Sequence, residues 1–254
     1  MRSTTLLPSD RPLLNQGRES AVPEVSVVIP CFNEEACIDG VVRDWWQQLS
    51  ANLVDFEIVV IDDGSTDRTP AILASLVREY PELRTLRQAN QGHGPALLHA
   101  YREARGRWVF HTDSDAQFIS GDFWSLWGRR EESPYLMGIR VERKDPIHRV
   151  ALSRGLRLLV RTITGIPVED INIPYKLIRR DLLGELLPIV PNDTFAPSIL
   201  LALGAHRRGI HIIQVPVRHL ARTTGRTILK PLKLARSCLR ALRQLLRFVA
   251  ITPA

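Results

Sequence analysis

Continuous apolar runs punctuate the first half of the chain at regular intervals. Val25 to Pro30 (VSVVIP), Phe56 to Ile61 (FEIVVI), Leu83 to Leu86 and Trp108 to Thr112 read as strands, the longer two as strands buried on both faces. Between them the pattern changes to helical spacing. The expected helices run from about Glu35 to Ser50, from a cap at Thr66 or Asp67 to Glu79 with Pro70 in the first turn, and from Pro95 to Arg105 beyond the turn marked by Gly92 and Gly94. Strands alternating with helices predict an α/β fold, a mostly parallel Rossmann-like sheet with helices on both faces.

In such sheets ligands bind outside the carboxyl ends of the strands. Asn33-Glu34, Asp62-Asp63 and Asp113-Ser114-Asp115 each follow a strand end, so they are expected along one rim. The second half is less regular. Tyr135 to Arg140, Ile173 to Ile178 and His211 to Val217 read as strands; Pro146 to Thr164, Arg180 to Leu187 and Thr194 to Gly204 read as helices. Lys230 to Val249 has the strongest helical pattern. Leu232, Ala235, Cys238/Leu239, Leu242, Leu245/Leu246 and Val249 form an apolar stripe, and Lys230, Lys233, Arg236, Arg240, Arg243 and Arg247 a basic one. The division expected is a disordered lead at 1–22, one catalytic-type domain at 23–228 and an amphipathic helix and tail at 229–254.

Charge sharpens this picture more than composition does. The 254 residues carry a net charge of +7, and no acidic residue follows Asp193. A basic terminus of this kind suits an anionic partner, whether membrane lipid, phosphate or nucleic acid, or is a solvated face. Three cysteines, Cys31, Cys37 and Cys238, are too few and too irregular for a disulfide framework or a zinc site. The first 22 residues do not read as a signal peptide, and no stretch reaches the roughly 18 uninterrupted apolar residues of a membrane span. The expectation is a cytoplasmic protein, soluble or peripheral.

Asp113 and Asp115, one residue apart at a strand mouth, can converge on one hard cation, Mg²⁺ or Mn²⁺, that completes its shell with phosphate oxygens. An Asp-x-Asp alone is common in solvent loops; its place at a parallel strand end makes the difference. Asp62 and Asp63 can accept hydrogen bonds from a base or ribose, though a capped turn explains one of the acids equally well.

Val27 to Glu35 (VVIPCFNEE), Ile58 to Asp67 (IVVIDDGSTD), Asn90 to Ala96 (NQGHGPA) and Thr112 to Gln117 (TDSDAQ) resemble, in order and spacing, the motifs of glycosyltransferase family 2. The resemblance extends over roughly Val25 to Thr227 and is greatest to the dolichyl-phosphate mannosyltransferase or polyprenyl-phosphate glycosyltransferase branch. It implies a GT-A fold, a nucleoside-diphosphate sugar donor and inversion. It further implies that Asp113, Asp115 and Gln117 hold the metal and that Pro30, Phe32, Glu34 and Asp62 line the nucleotide pocket, with Asp63 and Gly92 close by. Gly138-Ile139-Arg140, Arg149 with Ser153, the 170–176 segment and the 219–227 segment resemble later motifs. Pro174 stands where the branch often has glycine, Thr227 replaces a serine and Ile228 a lysine. Arg140, Arg149 and Arg222, with Ser153 and Thr227, are then the groups for an acceptor or leaving phosphate, since arginine binds phosphate bidentately.

A lipid-phosphate acceptor is already largely dianionic at neutral pH and needs little base catalysis. A hydroxyl acceptor needs a carboxylate to take its proton, and Asp170 is the candidate. The basic terminal helix fits peripheral attachment at the inner face of a membrane, or a separate membrane protein partner. Two further readings rank lower. A nucleotidyltransferase would show a glycine-rich basic loop after the first strand, where this chain has Cys31-Phe32-Asn33-Glu34-Glu35. A nucleic-acid-binding module leaves the rim of acids unexplained, because they repel a phosphate backbone, so no nucleic acid is expected.

Overall fold

The computed structural model describes residues 22–52, 55–141, 165–220, 243–246 and 248. Its strands are β1 (Val25–Cys31), β2 (Phe56–Asp62), β3 (Leu83–Arg87), β4 (Trp108–Thr112), β5 (Tyr135–Val141), β6 (Tyr175–Arg179) and β7 (Ile213–Arg218). Its α-helices are α1 (Ile38–Ala51), α2 (Thr69–Glu79), α3 (His93–Glu103), α4 (Phe123–Trp127), α5 (Arg180–Leu186) and α6 (Pro197–Arg207).

The seven strands form one sheet in the order β3-β2-β1-β4-β6-β5-β7. β1 pairs in parallel with β2 and β4, β2 with β3, and β5 with β7, while β6 is antiparallel to β4 and β5. Every residue of β1, β2 and β4 is buried, which is why these strands read as unbroken apolar runs. Successive residues of β4 face opposite layers. Phe110 packs on Trp45 of α1 with ring centroids 5.1 Å apart, and His111 on Tyr101 of α3 at 5.9 Å. Helices α1 and α3 therefore cover opposite faces, as right-handed crossovers running in opposite directions require. The direction switches between β1 and β4, and the crevice beyond their carboxyl ends is the place such a fold offers a ligand.

Several element boundaries differ from the sequence expectation, for identifiable reasons. α1 begins at Ile38 rather than Glu35 because the preceding loop is tied across to the one after β2. The backbone N–H groups of Asn33, Glu34 and Glu35 donate to Ser65 Oγ (2.9 Å), Thr69 Oγ1 (2.9 Å) and Asp67 Oδ2 (3.2 Å). β6 starts at Tyr175 rather than Ile173 because Ile173 N–H closes a turn onto the Asp170 carbonyl. α4, rich in aromatic residues, was not anticipated. Its Phe123 is buried against Trp45 and Phe110.

The helix expected at 146–164, nearly all of the lead and residues 221–242 lie outside the described residues. Of the terminal helix, 243–246 and 248 are helical. Gln244 Oε1 accepts the Phe195 N–H (3.1 Å), and Leu245 and Phe248 are buried, whereas Arg243 and Leu246 are exposed. The expected apolar stripe is thus split, with Leu245 packed into the protein. Among the described residues no helix is long and apolar enough to cross a membrane.

Opposite the acidic rim, buried Glu57 ties strands together. It accepts Ser26 Oγ–H (2.6 Å), the Arg105 N–H (2.6 Å) and Arg84 Nη1 (2.9 Å). Gly106 closes this end so tightly that a Cβ there would lie 2.4 Å from Ser26 N and 2.7 Å from Val25 C. Backbone in a central strand yields little, so Gly106→Ala is expected to destabilise the fold by about 1–3 kcal/mol. Urea unfolding checks this, and an unchanged midpoint would contradict the tight approach.

Candidate active site

The rim is assembled from strand ends held at one height. In the β1–β2 ladder Cys31 lies opposite Asp62, and in the β1–β4 ladder Val28 lies opposite His111. β6 runs the other way, so its amino end, with Asp170 just before it, reaches the same rim as Arg140 near the end of β5.

Asp62 and Asp63 differ sharply in what they do. Asp62 is buried; its Oδ1 accepts the Ser65 N–H at 2.8 Å. Its Oδ2 is buried, lies 3.3 Å from Arg87 Nε and has no hydrogen-bond donor among the described residues. Beside the Arg87 guanidinium, that oxygen keeps acceptor capacity for a further N–H or O–H. Asp63 is committed instead to the neighbouring loop. Oδ1 accepts Gln88 Nε2 (2.7 Å) and the Gln91 N–H (2.9 Å), and Oδ2 accepts the Gly92 N–H (2.8 Å). Gly92, at φ 94°, supplies the left-handed turn from which α3 starts. Pro30 is buried under the rim, and Phe32 and Glu34 are half-buried beside it. Asn33, at φ 55°, accepts the Thr66 N–H with Oδ1 at 2.8 Å and so locks the two loops together.

Asp113 Oδ1 is buried and has no hydrogen bond among the described residues. It lies 3.6 Å from His111 Nε2 and 4.0 Å from His93 Nε2. Burial alone would raise the Asp113 pKa, but His111, His93 and Arg140 outweigh it and hold it below the usual carboxylate range. Asp115 Oδ1 accepts the Gln117 N–H at 3.2 Å. Between them Ala116 sits at φ 57°, a strained position for a residue with a Cβ. The strain turns the chain so that Gln117 meets the strap after β7. Its carbonyl accepts the Leu220 N–H (2.8 Å) and its Nε2 donates to the Leu220 carbonyl (3.1 Å). An orphaned carboxylate oxygen and a second carboxylate two residues on are a donor set that fits a hard divalent cation. A cavity of about 300 Å³ opens beside Asp113, lined also by Trp45, Phe118 and Leu220.

Arg140 Nε stands 3.6 Å from Asp170 Oδ2, and its guanidinium carbon 5.7 Å from the Phe118 ring centroid. Lys176, wholly buried on β6 opposite His111, donates from Nζ to the Ile173 carbonyl. Burial pushes its pKa down to about 7, against the pull of Asp170 and Asp113 and with the help of Arg140. Burial likewise pushes His111 down to about 4, against Asp113.

The structure therefore brings Asp62, Asp63, Gly92, Asp113, Asp115, Gln117, Arg140 and Asp170 to one rim. Arg149, Ser153, Arg222 and Thr227 lie outside the described residues. Sequence reasoning assigned no role to His93, His111 or Lys176. His111 carried a signal, being an ionisable residue inside the otherwise apolar run Trp108–Thr112; His93 had only its place between two glycines.

Residues 26–187 match the model of glycosyl transferase family 2. Among curated proteins, the chain is 31% identical over 204 residues to an undecaprenyl-phosphate 4-deoxy-4-formamido-L-arabinose transferase of Pseudomonas aeruginosa (strain LESB58), covering 79% of this chain and 59% of that protein. A protein of the same description from Pseudomonas fluorescens (strain Pf0-1) is 27% identical over 213 residues, covering 83% and 61%. The chain thus spans about 60% of the length of these relatives. Glucosyl-3-phosphoglycerate synthase from Mycobacterium tuberculosis, solved with Mn²⁺, uridine diphosphate and glucosyl-3-phosphoglycerate, superposes with a TM-score of 0.67 at 26% identity, covering 91% of this chain and 82% of that one. The mostly parallel sheet flanked by helices is the GT-A type of fold.

Lys176 yields a prediction independent of any ligand. Between pH 7 and 10.5 the unfolded chain keeps a proton that the folded amine releases, so stability rises with pH across that window. The rise is at most ~1.4 kcal/mol per pH unit. Lys176→Met removes it, so the stability of the native protein relative to the variant should increase from pH 7.5 to 9.5 in urea unfolding. Parallel pH profiles would show that Lys176 titrates as in water.

Proposed function

This chain belongs to glycosyl transferase family 2, and on that footing we propose that it is an inverting glycosyltransferase moving a sugar from a nucleoside-diphosphate donor to a polyprenyl phosphate. The observation that carries the reading is the placement, on either side of the β1–β4 switch point, of the buried Asp62 carboxylate and the Asp113–Asp115 acids. One end of that crevice accepts hydrogen bonds from a base, and the other suits a metal-bound diphosphate. The Mycobacterium tuberculosis neighbour, solved with uridine diphosphate and Mn²⁺, and the undecaprenyl-phosphate relatives support it.

In this reading Asp62 receives an N–H of the nucleobase, with Pro30, Phe32 and Glu34 walling the pocket and Asp63 and Gly92 shaping its edge. Asp113 and Asp115 would hold Mg²⁺ or Mn²⁺, with Gln117 bracing their loop. Such a cation would neutralise charge on the departing diphosphate. Arg140, anchored by Asp170 and set over Phe118, presents a guanidinium to acceptor phosphate; Arg149, Ser153, Arg222 and Thr227, outside the described residues, are proposed to bind that phosphate too. A dianionic phosphate attacks the anomeric carbon without a base, so positioning and electrostatics supply the catalysis.

The Asp170–Arg140 pairing favours this over a hydroxyl acceptor, since the carboxylate is engaged in orienting a cation. A hydroxyl acceptor with Asp170 as base is the second reading, favoured by the likeness to glucosyl-3-phosphoglycerate synthase. Attachment is proposed to be peripheral, at the inner face of the membrane, through the basic residues near the end of the sequence, of which Arg243 is described and exposed while Leu245 is packed inward.

The test is a screen of nucleotide sugars with Mn²⁺ or Mg²⁺, scored by release of nucleoside diphosphate with and without polyprenyl phosphate. Release that depends on the lipid phosphate, and falls at least 100-fold in Asp115→Asn, is expected. Folded protein inert with every donor would refute the proposal. Asp170→Asn should keep measurable transfer to lipid phosphate, reduced about 10–100-fold. Complete loss of turnover with donor binding intact would instead make Asp170 the base for a hydroxyl.

A further inference from the structure

His93, His111 and Asp113 are drawn from three separate places: the first residue of α3, the penultimate residue of β4 and the residue just beyond β4. One ligand atom from each lies within 4.8 Å of the other two. His111 is 1% exposed, and neither of its ring nitrogens has a hydrogen-bond partner among the described residues. Asp113 Oδ1, the atom facing both imidazoles, is also buried and has no hydrogen bond among those residues. At 3.6 Å the His111–Asp113 approach is too long for a hydrogen bond, so neither group satisfies the other. Buried polar atoms left in this state call for an explanation, and an ion is among the few that satisfies both at once.

We infer that His93, His111 and Asp113 form a His-His-carboxylate site for a divalent first-row transition ion. Two imidazole nitrogens and a carboxylate favour Co²⁺, Ni²⁺ or Zn²⁺ over Mg²⁺ or Mn²⁺, which prefer oxygen ligands. Tetrahedral ligation at about 2.0–2.1 Å sets ligand atoms ~3.3 Å apart. The His111–Asp113 separation of 3.6 Å is close to that, and the 4.0 Å to His93 closes by rotating a side chain that is 52% exposed. Three protein ligands leave a fourth position open, as in sites that also bind water or substrate. His93 is delivered to this place by Asp63, whose carboxylate holds Gly92 immediately before it. The site shares Asp113 with the cation proposed for Asp113 and Asp115 and competes with it for that carboxylate, but it needs neither Asp115 nor Gln117, so the inference stands without the proposed reaction.

Co²⁺ titration of the nucleotide-free protein tests it, read by the visible bands of nitrogen-ligated Co²⁺ and by calorimetry with Zn²⁺. Native protein should bind one equivalent with those bands. His93→Ala, at an exposed helix start where folding is little affected, should weaken Co²⁺ and Zn²⁺ binding at least about tenfold. Asp115→Asn should keep the bands. Absence of Co²⁺ binding, or bands that survive in folded His93→Ala, or bands lost in Asp115→Asn but not in His93→Ala, would overturn the site. Nucleoside diphosphate release in Mg²⁺ is scored separately, so failure of the transferase reading and failure of this site are told apart.

Discussion

Cys31 opposite Asp62 and Val28 opposite His111 are pairings in two ladders that share β1, and the rest of the site follows from them. Parallel strands in that register finish at one level, so whatever follows each strand is delivered to the same rim. The central strands are buried on both faces and spend most of their sequence on packing, and the polar groups gather at or just beyond their ends, with His111 and Lys176 the ionisable side chains set inside β4 and β6. A shift of one residue in either ladder would turn side chains to the other face and separate Asp62 from Asp113.

Holding several acids and bases at one buried rim is unfavourable unless they answer one another. Asp63 is answered by three donors from the 88–92 loop, and Asn33 by the loop after β2. Lys176 is kept from carrying a full charge by burial, and Arg140 and Asp170 face each other. Among the described residues, the buried atoms left without a hydrogen bond include Asp62 Oδ2, which faces Arg87 at 3.3 Å, Asp113 Oδ1 and the His111 nitrogens. Those atoms lie at the acidic rim.

The strand ends were legible because period and burial agree there: an apolar run, then acids, repeated. The split of roles between Asp62 and Asp63 was not, since neighbouring carboxylates look alike until the 88–92 loop is folded against one of them. His93 and Asp113 are twenty positions apart in the chain, and only α3 lying across the face of β4 joins them. The reversal of β6 was hidden for a related reason. A five-residue apolar strand carries no mark of its direction, and only its pairing with Trp108 to Thr112 reveals it. At the chain terminus, periodicity showed an apolar stripe but could not say whether protein or lipid would cover it; for Leu245 it is protein.

The reversed strand has one more implication. Because β5 leaves the sheet at the acidic rim and β6 enters it there, the chain departs from and returns to the sheet beside the same acids. Both ends of that interval are thus set at the rim rather than at the opposite end of the sheet, where Glu57 ties the strands together.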